Sequence, residues 1–398
     1  MGGEWREAGG GSKSIYLDNN ATTPLDPRVL EAMTKVWRDC GANPASPHSF
    51  GRAARRLVEE SREGILALLG ARTTGMAADK LIFTSGGTEA NHLALHGLLT
   101  EPDRGLAISA LEHPSIQATA EQLRSRGVRV QRIPVLSSGL IDLASIEQLL
   151  VDEATRPQLM SLMLASNETG VLQPVAEVSR LAASSQVLVH SDAVQAIGKT
   201  DVQFHSLSVV ALTVVPHKFH GPIGIGGLLL RNDVQLQPQL FGGFQQGALR
   251  PGTESAALAV GFHRALNLAI SEREIRCLRM KQLRDQFEAT IQTEIKSAVV
   301  VSQNILRTPN TTCISFPMLD RQALVMALDL AGVACSTGSA CASGSSEPSP
   351  SLVAMGLPAA VISSALRFSL SALTTTAEIA DAAERIINTV KRLQPTRN

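Results

Sequence analysis

Two textures of apolar and polar residues alternate along this 398-residue chain. In the first, short apolar runs, many of them β-branched, break into polar or glycine-rich ends. "DKLIFTSGG" (79–87), "GLAISALEHP" (105–114), "QLMSLMLASNETG" (158–170) and "SQVLVHSDAVQAIG" (185–198) have this form. "HSLSVVALTVVPHK" (205–218) and "GIGGLLLR" (224–231) continue it. In the second texture apolar residues recur at helical spacing, as in 87–100 and 174–185. The alternation predicts an α/β domain with a mainly parallel sheet, in which ligands bind beyond the carboxyl ends of strands.

After about residue 264 the pattern changes. The segment 263–295 is long and amphipathic, and it predicts a helical link to a smaller C-terminal α+β lobe. The predicted division is a loose tail over 1–14, a large domain over most of 15–264, and a small domain over 265–398. The start of the 15–264 stretch can join the small domain. The Ser/Pro/Gly stretch "ASGSSEPSPS" (342–351) predicts a mobile loop in the small domain.

Composition narrows the function classes. The chain is 44% hydrophobic and 18% charged, with 36 Lys plus Arg against 36 Asp plus Glu. A zero net charge supplies no global field for nucleic acid or an anionic membrane. No apolar run approaches the roughly 18 residues that span a bilayer. "MGGEWREAGGGSKS" has no apolar stretch of the secretory kind, so a cytoplasmic protein is expected. The cysteines Cys40, Cys277, Cys313, Cys335 and Cys341 are odd in number and scattered, and no CxxC occurs. That argues against a disulfide framework and a zinc ribbon, and no metal site is expected.

The strand ends carry the candidate chemistry. Gly86 and Gly87 end a strand and Thr88 opens a helix, which makes either a turn with a cap or a seat for phosphate. His113 and the pair Asn167–Glu168 follow two other strands. Asp192 follows a fourth: it either caps the next helix or meets a ring nitrogen and keeps it protonated. Lys218, between His217 and a glycine-rich run, is either a solvated loop charge or an amine held against a cofactor.

Taken together, "SGGTEAN", "LEHPSI", "SNETG", "SDAVQAIGK", "HKFHGPIGIGGL", "LRPGTES", "STGSACASGSSEPS" and "LRFSLSALTT" resemble the cysteine desulfurases of the NifS/IscS type. "YLDNNATTPLDPRV" and "NPASPHSFGRAAR" fit the same pattern, and the resemblance covers about residues 15–390. It implies a fold-type I enzyme dependent on pyridoxal 5′-phosphate, with a large domain and a smaller α+β domain. It implies that Lys218 holds the cofactor covalently, that Asp192 pairs with the ring nitrogen and that Gln195 pairs with the ring hydroxyl oxygen. By the same resemblance His113 stacks on the ring and shuttles protons. Gly87, Thr88 and His217 hold the phosphate, and Thr253 reaches the phosphate of a partner subunit in a homodimer. Asn167 contacts the cofactor as well, and Asn43, Asn167 and Arg367 bind substrate. Arg367 suits a carboxylate because its planar guanidinium bonds it bidentately.

Cys341 matches the family nucleophile, which takes sulfur from L-cysteine, leaves alanine, and passes the sulfur to an acceptor or scaffold protein. Only the thiolate attacks, so its local pKa matters. Cys335, beside an apolar run, is expected to be structural. The alternatives that stay open are a selenocysteine lyase and a catalytically silent dimeric scaffold in sulfur trafficking.

Four positions depart from the family pattern. Val215 stands where a serine commonly donates to the phosphate, and Ile223 stands where a lysine is usual. Ser371 replaces a common glycine, and Ser166 a frequent asparagine. The expectation at Val215 is weaker cofactor retention, since a hydrogen bond to a charged group is worth about 1.5–3 kcal/mol.

Overall fold

The computed structural model describes residues 14–338 and 347–394. Seven strands form the large sheet: β1 (Lys80–Thr84), β2 (Leu106–Ser109), β3 (Val130–Ile133), β4 (Leu159–Met163), β5 (Leu188–Asp192), β6 (Ala211–Val214) and β7 (Gly226–Leu230). Their spatial order is β1-β7-β6-β5-β4-β2-β3. Pairing from β6 through β3 is parallel, and β7 lies antiparallel between β1 and β6. The reversal has a simple cause. The chain between Val214 and Gly226 is too short for the helical crossover that a parallel neighbour needs.

Every residue of β4, β6 and β7 is buried. Strands covered by helices on both faces read as continuous apolar runs rather than as alternation. Helices α1 (Pro27–Asp39), α2 (Ser49–Leu68), α3 (Gly87–Leu98) and α4 (Pro114–Ser125) belong to this body. In α1 the apolar face is Val29, Met33 and Val36, and Asp26 caps the N-terminus by accepting from the Arg28 amide. Such a cap contributes about 1 kcal/mol.

The amphipathic segment after residue 263 is not one helix. It forms the end of α5 (Ala256–Ser271) and then α6 (Arg273–Glu294), with Glu272 between them. Helix α5 packs with the large-sheet core through Phe262, Ala265 and Leu266. In α6, Leu283, Phe287 and Ile291 enter a second core. That core also holds Phe368 on a three-stranded antiparallel sheet and Ile386 on α7 (Thr376–Leu393). Ile15 and Leu17 lie in the same second core, and Ile15–Tyr16 pairs in parallel with Val333–Ala334. The first described residues therefore belong to the smaller body, and residues 18–26 pass from it to the large-sheet body. Among the described residues no helix is long and apolar enough to cross a membrane.

Candidate active site

A cavity of about 220 Å³ opens at the carboxyl ends of the parallel strands. Gly87 and Thr88 enter it from the first turn of α3, and His113 enters from the N-cap of α4. Asn167 follows β4, Asp192 ends β5, and Gln195 follows in the next turn. His217 and Lys218 sit on a single 3₁₀ turn after β6. These eight sequence-predicted residues thus line one space. Thr88 and Lys218 stand far apart in sequence and meet because β7 returns beside β1. A Cβ on Gly226 of β7 would come within 2.7 Å of the Gly86 backbone, so glycine there lets the α3 entry approach the lysine loop.

Asp192 is buried and its two oxygens are occupied. The Asn91 side-chain amide donates to one at 2.8 Å, and the Val194 backbone N–H donates to the other at 2.9 Å. Asn91 also donates to Ser115 Oγ at 2.9 Å, and Ser115 Oγ lies 2.8 Å from His113 Nδ1. The Ser115 backbone N–H, which can only donate, reaches the same Nδ1 at 3.1 Å. Nδ1 is therefore an acceptor, and the proton of a neutral His113 ring sits on Nε2. Burial holds His113 below the usual imidazole range. Lys218 pushes the same way and Asp192 opposes it.

Behind this group lies Glu112. It is fully buried and accepts from the Met163 N–H at 2.7 Å. Burial pushes its carboxyl well above the ordinary range, and the nearby Asp192 adds to that.

The Lys218 amine donates to the backbone carbonyls of Asn20 and Ala21, at 2.6 Å each. This N-terminal segment is itself anchored. Asn20 accepts from Asn310 at 3.0 Å through Oδ1, donates through its side chain to Thr311 Oγ1 at 2.9 Å, and donates through its backbone N–H to Ser369 Oγ at 2.8 Å. Thr23 clasps the lysine loop from the other side, accepting from the His220 N–H at 2.7 Å and donating to the His217 carbonyl at 3.0 Å. His220 holds φ at +69°, so this clasp sits where the backbone is least willing to turn. Burial, reinforced by Lys218 and Lys199, pushes His217 down to about 4. His217 is therefore a neutral hydrogen-bonding group near pH 7.

The other sequence candidates fall elsewhere. Arg367 is buried beside the cavity rather than in its lining. It donates to Asp18 Oδ1 at 2.6 Å and to the carbonyls of Asn167 at 3.1 Å and Gly338 at 3.3 Å. Its Nε–H has no acceptor among the described residues. Asn43 is exposed on a turn, where its side chain accepts from the Ala45 N–H at 2.9 Å. Thr253 is exposed on the chain leading into α5 and does not line this cavity. Cys341 lies outside the described residues. Burial pushes the Cys335 thiol up, which suits a structural cysteine.

The departures divide in the same way. Val215 is fully buried and lines the cavity, whereas Ile223 is exposed. Ser166 accepts from the N–H groups of Glu168 and Thr169, and Ser371 accepts from the Leu373 N–H, so both hold turns.

Sequence reasoning overlooked Asn91, Ser115, Asn20 and Lys199. Asn91 lies one helical turn past Thr88 on α3, so that spacing was available as a signal. Asn20 had no local signal, because its part depends on where β6 ends.

The arrangement suits an anionic, aromatic cofactor. Helix α3 begins at the cavity without a side-chain cap, leaving its first N–H groups to an anion. The cavity also presents an amine, a buried oriented carboxylate and a buried Asn91 Oδ1 that has no partner among the described residues. No cluster of three or more His, Cys, Asp or Glu able to hold a metal occurs among the described residues.

The profile of the family described as aminotransferase class-V matches residues 15–381. A cysteine desulfurase of Cereibacter sphaeroides is 41% identical over 368 residues, covering 92% of each chain. The cysteine desulfurase NifS of Azotobacter vinelandii is 37% identical over 378 residues, covering 94% of this chain and 91% of its own. Among solved structures, a NifS-like protein from Rickettsia africae superposes with a TM-score of 0.87 at 32% identity, over 95% of this chain and 99% of its own.

Proposed function

The chain belongs to the class-V aminotransferase family, as a cysteine desulfurase, and on that premise we propose that L-cysteine is turned over in the Lys218–Asp192 cavity with pyridoxal 5′-phosphate as cofactor. The observation that carries this reading is the pairing, in one cavity, of the Lys218 amine with a buried carboxylate oriented by two donors.

When bound, pyridoxal phosphate draws electrons from the substrate Cα and so loosens the Cβ–S bond. The protein's own groups do the rest. Asp192 would accept a hydrogen bond from the protonated ring nitrogen. Asn91 and the Val194 amide fix the orientation of its two oxygens there. The α3 N-terminus at Gly87 and Thr88, with neutral His217, holds the phosphate. Gln195 donates to the ring oxygen. Once substrate has displaced it from the cofactor, the Lys218 amine would move the Cα proton, and the Asn20 and Ala21 carbonyls would hold the freed amine at the cavity wall. His113, anchored through Nδ1, presents Nε2 for proton transfer.

Asn167 and Arg367 are the substrate-carboxylate partners in this reading. Arg367 suits that role by its planar guanidinium and its contact with the Asn167 carbonyl at the cavity edge. We assign sulfur capture to Cys341 on sequence grounds. Its thiolate attacks the substrate sulfur, a sulfur–sulfur bond forms and the Cβ–S bond breaks. The carbon takes up a proton, giving alanine and a persulfide that an acceptor protein collects.

A homodimer completes the proposal. Phe241 and Phe244 are 87% and 93% exposed, close in sequence to Thr253, and large apolar groups so placed favour a partner surface.

The test is alanine formation from L-cysteine with the cofactor-loaded protein, wild type beside Cys341→Ala. Wild type is expected to form alanine and a persulfide mapped to Cys341. The variant is expected to bind cofactor normally and lose at least about 100-fold in alanine formation. Equal rates would remove Cys341 from the mechanism, and no alanine from wild type would refute the activity.

A further inference from the structure

A second lysine lies behind the cavity and is not used in the chemistry above. Lys199 follows Asp192 by one turn region, and its Nζ donates to Gln195 Oε1 at 2.8 Å. Gln195 in turn donates through Nε2 to the Asn20 carbonyl at 2.9 Å, the same oxygen that accepts from Lys218 at 2.6 Å. Lys199, Gln195, the Asn20 carbonyl and Lys218 thus form one continuous chain of hydrogen bonds. Lys199 and Lys218 also line a common void of about 30 Å³ between the two bodies, room for about one water. Among the described residues the Lys199 amine has no carboxylate in ion-pair contact, and Gln195 is its acceptor.

We propose that Lys199 is a positioning residue: it fixes the amide of Gln195 donor-side toward the cofactor and sets a second positive charge behind Lys218. The proposal rests on the reading that Lys218 carries pyridoxal phosphate. An ammonium has donors only, so the amide must turn its oxygen toward Lys199. Its NH₂ then faces the Asn20 carbonyl and the cavity, the orientation needed to donate to an anionic ring oxygen. The Asn20 carbonyl, which only accepts, favours the same orientation, and Lys199 reinforces it from the other side of the amide.

The charge acts in the same direction. The charged and titratable groups facing Lys199 are Lys218, His217 and His220 from the lysine loop, Arg367, and Cys277 and Arg276 from α6. Burial, then Lys218 and Arg367, lower Lys199 to about 7, against a smaller opposing pull from Cys277. Near neutral pH it is therefore partly charged. A cation there disfavours a proton on the Lys218 nitrogen, and a donor on the ring oxygen does the same.

The experiment follows the visible absorbance of the cofactor-loaded protein against pH, with no substrate present, and needs no turnover. Lys199→Met and Lys199→Gln are expected to raise the absorbance midpoint by about 0.5–1 pH unit. Lys199→Arg, which stays charged, is expected to bring it back to the wild-type value or below it. Lys199→Gln keeps a donor of similar length and carries the test if the methionine variant does not fold. Folded neutral variants with the wild-type midpoint would overturn the proposal. A wild type that takes up no pyridoxal phosphate would overturn the cofactor reading beneath it, and the two failures are told apart by whether the band is present.

Discussion

Val215 walls the phosphate side of the cavity with a methyl group, 3.3 Å from where a Cβ on Gly87 would stand. A hydroxyl at this position would face the open N-terminus of α3. Val215→Ser is therefore expected to tighten pyridoxal phosphate binding about tenfold or more, the equivalent of one added hydrogen bond to a charged group. Equilibrium titration of the apoprotein checks this, and an unchanged Kd would count against a phosphate at α3. At this scale, what could be read in the chain depended on whether a residue acts by its own chemistry or through a neighbour. Lys218, Asp192, His113 and Thr88 stand at strand ends, so their type and position together marked them. Asn91 and Lys199 act by orienting Asp192 and Gln195, and a polar residue that points at another polar residue leaves no periodic trace. Arg367 sits between these cases: its chemistry suited a carboxylate, but its present partner is Asp18, which only the fold brings near.

The elements that carry the site were mostly legible, because a buried strand ending in polar residues is a strong local pattern. The runs at 79–87, 105–114, 158–170 and 185–198 each hold one strand, β1, β2, β4 and β5. Two features were not legible. Strand β7 has the same apolar texture as its parallel neighbours, and only the brevity of the chain after Val214 sets its direction. The helical segment after residue 263 keeps its periodicity across Glu272, so the break is invisible to hydrophobic spacing. That break lets α5 pack on one core while α6 packs on the other. The N-terminal stretch 18–26 has no regular pattern, yet its carbonyls hold the Lys218 amine. Its role comes from the position it takes between the bodies.

For the whole molecule, the buried imidazole of His190 ties stability to pH. It is fully buried on β5, with Ser161 Oγ and Thr213 Oγ1 each 2.9 Å from a ring nitrogen, and burial pushes it down to about 4. The unfolded chain binds a proton at this side chain near pH 6.5, while the native state resists until about 4. Its contribution is therefore present in full above about 6.5 and is lost as pH falls toward 4, about 3 kcal/mol in all. Urea unfolding at pH 7 and pH 4.5 is expected to show a shallower decline in His190→Gln than in wild type, and parallel declines would contradict the assignment. The central claim concerns one amine among the lysines of this molecule. Borohydride reduction of the pyridoxal-phosphate-loaded protein, followed by peptide mass spectrometry, tests it most directly. The reduced cofactor is predicted on Lys218 and not on Lys199; a label on Lys199, or on neither, would contradict it.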